Sequence, residues 1–126
     1  MNTTCAMTTL LIVDDSIDIR HSLMQLFMEE GYLCGEASNG KEALEYIRSG
    51  KPCDLIVLDL MMPVMSGCEF LQVYAQEEAL YKIPVVVISA HHKPTLKVCG
   101  FVPKPFDLDK LFGQVEKCLI RYRGKQ

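Results

Sequence analysis

Three short runs, Leu10–Val13, Leu55–Leu58 and Val85–Ile88, are aliphatic at every position instead of alternating with polar residues. A strand with no polar face must be covered on both sides, which predicts a parallel sheet sandwiched between helices. Weaker strands are predicted at Tyr32–Ala37 and around Phe101 and Val102. Between the runs the apolar spacing lengthens to a helical period. Ile19, Leu23, Leu26 and Phe27 form one stripe, closed by Gly31 as a C-terminal cap. Ala43, Leu44 and Ile47 form a second, opened by Asn39 with Glu42 three residues on. Ser66 followed by Glu69 is a capping-box pattern that starts a third helix through Phe70, Leu71 and Tyr74. Leu108, Leu111, Phe112, Val115 and Leu119 mark a last helix, with Asp107 placed to cap it. The order of elements predicts a doubly wound α/β domain.

One connection is too short for that pattern. Ten residues, Ala90–Cys99, separate the strand ending at Ser89 from Gly100. A parallel crossover that includes a helix needs at least about 10–12 residues. A loop or at most about two helical turns is therefore expected here, with Pro94 able to open a single turn. The fourth helix of the alternating pattern is expected to be reduced or missing. The domain is expected to span residues 10–122, with loose tails at 1–9 and 123–126.

Composition narrows the class without changing this picture. The 126 residues suit one domain, and 49% hydrophobic with 23% charged residues is ordinary for a globular chain. A formal charge of -3 provides no global positive field for phosphate backbones, so nucleic acid is not an expected partner. No apolar stretch approaches the roughly 20 residues needed to span a bilayer. Residues Met1–Thr9 carry no Lys or Arg ahead of the first apolar run, so neither a membrane nor a secretory signal is expected, and the location is expected to be cytoplasmic. The six cysteines, at 5, 34, 53, 68, 99 and 118, form no C-x-x-C or His-paired cluster. They are expected to be reduced and to serve mostly in packing.

Candidate chemistry follows from the fold class, because doubly wound sheets bind ligands outside the carboxyl ends of their strands. The polar residues just beyond the strand runs are Asp14 and Asp15, Asp59, Ser89 and Lys104. Three carboxylates brought together repel one another unless a cation compensates. Lys104 supplies one charge, and an oxygen-only donor set favours Mg²⁺ over Zn²⁺ for the rest. An ionised Asp59 is a competent nucleophile toward phosphorus, and Lys104, Ser89 and a metal could stabilise the charge on the phosphoryl oxygens. Each residue also has a plainer reading. Asp14 and Asp15 could cap a helix, Phe101 could be core, and His91 and His92 could be solvated. Lys104 before Pro105 could mark only a turn, and Pro105 is a candidate for a cis peptide.

The segments LLIVDDS, LIVLDLMMPVMSGCEFL, VVVISA and VPKPF resemble the signature blocks of response-regulator receiver domains, in order and across nearly the whole chain. The resemblance implies a flavodoxin-like five-stranded parallel sheet of order 2-1-3-4-5. It implies Asp59 as phosphoacceptor, Asp14 and Asp15 as the acidic metal pair, and the Met61 backbone carbonyl as completing a Mg²⁺ shell. Ser89 would be the hydroxyl switch residue, Lys104 the phosphoryl-binding lysine, and Phe101 the aromatic switch. The implied partners are a histidine kinase or histidine phosphotransfer protein and an output protein, with the unphosphorylated chain a monomer. The Ser-to-Lys interval is shorter than usual in the family by about seven residues, nearly two helical turns. That puts in doubt the face that the family uses for dimerisation or output. An alternative is a Mg²⁺-dependent aspartyl-phosphate phosphatase; such enzymes generally carry a second Asp two positions after the nucleophile, where Met61 stands. A dinucleotide-binding reading is weaker, since no G-x-G-x-x-G follows a strand.

Overall fold

A computed structural model of the chain describes residues 8–77, 81–90, 94 and 97–123. In chain order it contains β1 (Thr9–Val13), α1 (Ile17–Glu29), β2 (Leu33–Ala37), α2 (Gly40–Arg48), β3 (Leu55–Asp59), α3 (Gly67–Ala75), β4 (Val85–Ser89), β5 (Gly100–Pro103) and α4 (Leu108–Arg123). The strands form one sheet in the order β2-β1-β3-β4-β5, and every neighbouring pair is parallel.

The continuous apolar runs are explained by the two cores. Successive strand residues point to opposite faces, so each run supplies both. Leu10, Ile12, Leu55, Val57, Val86 and Ile88 pack under α1 and α4 through Leu23, Phe27, Leu111 and Val115. Leu11, Val13, Ile56, Leu58, Val85 and Val87 pack under α2 and α3 through Ala43, Leu44, Ile47, Phe70 and Leu71. Each residue of β1, β3 and β4 is buried.

Local signals set the helix ends. Asn39 caps α2 by accepting from the Glu42 N–H, and Ser66 with Glu69 forms a complete capping box on α3. The Asp107 carboxylate accepts from the Asp109 N–H at 2.8 Å at the start of α4. At the end of α1, Gly31 takes φ 99°, its N–H donates to Met28, and the Tyr32 N–H reaches back to the Phe27 carbonyl. The two rings then meet edge to face at 5.8 Å, which completes a Schellman closure with its hydrophobic contact.

Several expectations need correction. The buried stripe of α1 is Arg20, Leu23 and Phe27, whereas Ile19 is 40% exposed and Leu26 is only half-buried. A charged residue occupies the place one turn before Leu23 because it is paired there, as described below. The cysteines are not all reduced: Cys99, just before β5, is joined to Cys118 of α4 by a disulfide with a Cα–Cα separation of 6.0 Å. The pairing arises because β5 is an edge strand over which α4 lies closely; a Cβ on Gly100 would fall 3.5 Å from the Cys118 sulfur. Two residues 19 positions apart carry no local motif that announces this. Cys34, Cys53 and Cys68 are free, and Cys5 lies outside the described residues.

The sheet begins at Thr9 and α4 extends to Arg123, each one residue past the expected domain limits. Thr8 and Thr9 are buried, and the Thr8 carbonyl accepts from Leu33 of β2. Between β4 and β5 the described residues carry no helix, so four helices of nine residues or more cover the five strands. His91–Lys93, Thr95 and Leu96, which include most of the turn that Pro94 could open, lie outside the described residues. No helix among the described residues is long and apolar enough to cross a membrane.

Candidate functional site

The strand register brings the polar strand ends to one edge of the sheet. Val13 pairs with Leu58 and Asp59 with Ile88, so Asp14 follows β1 level with Asp59 at the end of β3. Ser89 ends β4, and its carbonyl accepts from the Lys104 N–H at 2.8 Å just beyond β5. Residues separated by up to 90 positions thus share one site.

Carboxylate oxygens of Asp14, Asp15 and Asp59 all lie within 4.8 Å of one another. Asp14 and Asp59 are buried, at 4% and 5% exposure, while Asp15 opens to solvent. The Lys104 ammonium reaches Asp59 Oδ1 at 3.4 Å, and the Met61 N–H donates to the same oxygen at 3.3 Å. Burial pushes the Asp14 carboxyl above its usual range, and the charges of Asp59 and Asp15 push the same way. The Ser16 N–H and the Lys104 ammonium act in the opposite direction without cancelling the rise. Three carboxylates against one lysine therefore leave negative charge uncompensated. Hard oxygen donors at this spacing fit a small divalent cation such as Mg²⁺.

The remaining expected residues lie around this centre. Ser89 is fully buried. Phe101 is half-buried, level with Val87, and packs toward the α2–α3 core. The Lys104–Pro105 peptide is cis. Met61 is largely exposed, so its side chain does not build the site. His91 and His92 lie outside the described residues.

The loop after β3 contains a strained residue. Val64 has φ 67°, and the Met65 N–H donates to the Pro63 carbonyl at 2.7 Å across it. This is a γ-turn of the less stable hand, with a β-branched residue at its centre. Sequence reading missed it, as it missed Arg20, whose guanidinium contacts the Asp14 carbonyl and Glu36.

An all-parallel 2-1-3-4-5 sheet with an acidic cluster and a lysine at its carboxyl edge defines a doubly wound domain whose candidate site lies where such sheets bind ligands. The profile of the response regulator receiver domain matches residues 10–116, and the chain belongs to that family of two-component signalling proteins. It is 37% identical over 121 residues to response regulator GtcR of Aneurinibacillus migulanus, covering 90% of this chain and 48% of that protein. It is 33% identical over 120 residues to the phosphate regulon transcriptional regulatory protein PhoB of Pseudomonas aeruginosa, covering 90% and 52%. The chain thus spans about half the length of these curated relatives. Among solved structures it resembles the chemotaxis protein CheY4 of Vibrio cholerae, with TM-score 0.78, 30% identity and coverage of 90% and 99%. It also resembles response regulator TrrA of Thermotoga maritima in complex with Mg²⁺-BeF, with TM-score 0.79, 32% identity and coverage of 89% and 99%.

Proposed function

We propose that this domain accepts a phosphoryl group on Asp59 from a histidine kinase or histidine phosphotransfer protein and thereby switches a protein–protein interaction in the cytoplasm. The observation that carries the reading is the meeting of Asp59 with Asp14, Asp15 and Lys104 within a few ångströms. The Asp59 carboxylate attacks phosphorus, an O–P bond forms as the P–N bond of the donor breaks, and the imidazole leaves, taking up a proton. Asp14, Asp15, Asp59 and the Met61 carbonyl would hold Mg²⁺. When bound, the metal neutralises charge on the phosphoryl oxygens. The Lys104 ammonium is already paired with Asp59 and can move onto those oxygens, and the Ser89 hydroxyl from β4 can donate to them. Movement of Ser89 toward the new group would be followed by Phe101 of β5, which lies level with Val87, two residues before Ser89 on β4.

The histidine-bearing partner is best received by the groove of about 440 Å³ between α1 and the β5–α4 loop, lined by Ile19, Leu23, Leu26, Lys104, Pro105 and Phe106. The groove is apolar and ends at the lysine beside Asp59. The unphosphorylated chain is expected to be a monomer, with output through α1 and the loops around Asp59.

Mass spectrometry of the protein incubated with acetyl phosphate and Mg²⁺ tests the reading. One phosphoryl group is expected in the wild type and none in Asp59→Asn. Label retained in Asp59→Asn, or located on His91 or His92, refutes it.

A further inference from the structure

Arg20 is the one buried cation among the described residues. A buried guanidinium is rare without partners, and both of its partners here are defined. Its Nη1 donates to the backbone carbonyl of Asp14 at 2.8 Å, and its Nε donates to Glu36 Oε1 at 2.7 Å. Glu36 lies on β2 level with Ile12 of β1, so it is carried by the sheet and not by the site loop. The same carboxylate oxygen is 3.1 Å from His21 Nε2.

The carbonyl that Arg20 holds belongs to the Asp14–Asp15 peptide. A peptide unit is rigid and planar, so fixing its carbonyl also fixes the direction in which Asp15 leaves the chain. Asp14 is anchored separately, through its backbone N–H to Ala37 and through its carboxylate to the Ser16 N–H. Asp15 is exposed, and its alignment with Asp14 and Asp59 depends on the plane of this peptide. Lys104 forms its ion pair with Asp59, whereas Arg20 forms its own with Glu36. Its charge is taken up by Glu36, whose carboxyl is held below its usual range chiefly by the hydrogen bond to Arg20.

We propose that Arg20 is a positioning residue for the acidic pair: oriented by Glu36, it locks the Asp14–Asp15 peptide so that Asp15 can bind a divalent cation jointly with Asp59. The inference rests on the metal-binding reading of the site. It assigns Arg20 a geometric role distinct from the charge compensation supplied by Lys104.

The test uses Mg²⁺ alone, titrated by calorimetry into the wild type, Arg20→Met, Arg20→Lys, Glu36→Gln and the Arg20→Met/Glu36→Gln double variant. Loss of a group that orients a metal ligand typically weakens affinity by about 10- to 100-fold, and Arg20→Met is expected at the lower end of that range. Arg20→Lys should recover part of the affinity, because an ammonium keeps a donor but not the planar fork. Glu36→Gln should weaken Mg²⁺ less, and the double variant no more than Arg20→Met, since Glu36 acts through Arg20. A readout without metal is the amide ¹⁵N shift of Asp15, whose N–H shares the held peptide; it should move in Arg20→Met and less in Glu36→Gln. Unchanged Mg²⁺ affinity in folded Arg20→Met, even with a lowered melting temperature, overturns the proposal. If Arg20→Met does not fold, unchanged affinity and an unchanged Asp15 shift in Glu36→Gln overturn it. A wild type that binds no Mg²⁺ overturns the metal site itself, whereas binding that is equal in all variants removes only the role of Arg20.

Discussion

The backbone of Asp59 occupies the space that a side chain on Gly67 would need: a Cβ there falls 2.5 Å from the Asp59 carbonyl oxygen and 2.6 Å from the Leu60 Cα. The Gly67 N–H also donates to the Leu60 carbonyl at 2.9 Å. The first residue of α3 is thus seated directly on the peptide that presents the proposed phosphoacceptor. Because the obstacle is backbone, no rotamer change relieves it. Gly67→Ala is expected to cost about 1–3 kcal/mol by overpacking and to slow phosphorylation of Asp59 by displacing it. Urea denaturation and the rate of labelling by acetyl phosphate check the two effects.

Relief of strain at Val64 should act in the opposite direction. Its side chain is 77% exposed, so little burial is lost on removing it. A non-glycine residue at positive φ costs of order 1–3 kcal/mol, offset in part by the entropy of a new glycine. Val64→Gly is expected to stabilise the domain by about 1 kcal/mol, measured as a higher urea midpoint with an unchanged slope.

The free cysteines should differ in reactivity. Burial pushes the Cys34 thiol up to about 11 and Cys53 to about 12, while Cys68 is exposed. Raised values keep both half-buried groups protonated, and the thiolate is the nucleophile. With iodoacetamide at pH 8, Cys68 should be alkylated well before Cys34 and Cys53. Cys99 and Cys118 should become alkylated only after reduction, as peptide mapping would show.

Acid should weaken the Glu36 contact. Its carboxyl is held below the usual value of 4.5 in the folded chain by Arg20, with a further contribution from His21. The stabilisation is complete above the unfolded value and disappears as pH falls through the lower folded value. Melting temperatures of wild type and Glu36→Gln should therefore differ most near neutrality and converge progressively as pH falls below the usual value of 4.5.

Phosphorylation is not expected to create a dimer through the β4–β5 side. The ten residues between those strands are too few for a full crossover helix, so that side is expected to lack one of the elements from which such an interface would be built. Sedimentation velocity of the phosphorylated protein should give a monomer; a tight dimer lost on changing Lys97 or Lys110 would contradict this.

What the amino-acid order determined by itself is local or nearly so. Unbroken apolar runs require two covered faces, so the parallel sheet and the placing of Asp14, Asp15, Asp59, Ser89 and Lys104 at its carboxyl edge could be read from pattern alone. Caps at Asn39, Ser66, Asp107 and Gly31 are events within a few residues, and they too were legible. The tertiary structure decided what depends on register and on one element lying over another. Whether Arg20 or Ile19 faces inward depends on Glu36, which only the β1–β2 pairing brings beside α1. Helical periodicity marks apolar residues and is blind to a guanidinium buried against a carboxylate 16 positions away. The Cys99–Cys118 bond likewise depends on how closely α4 crosses the start of β5, a distance between surfaces that no spacing in the chain encodes.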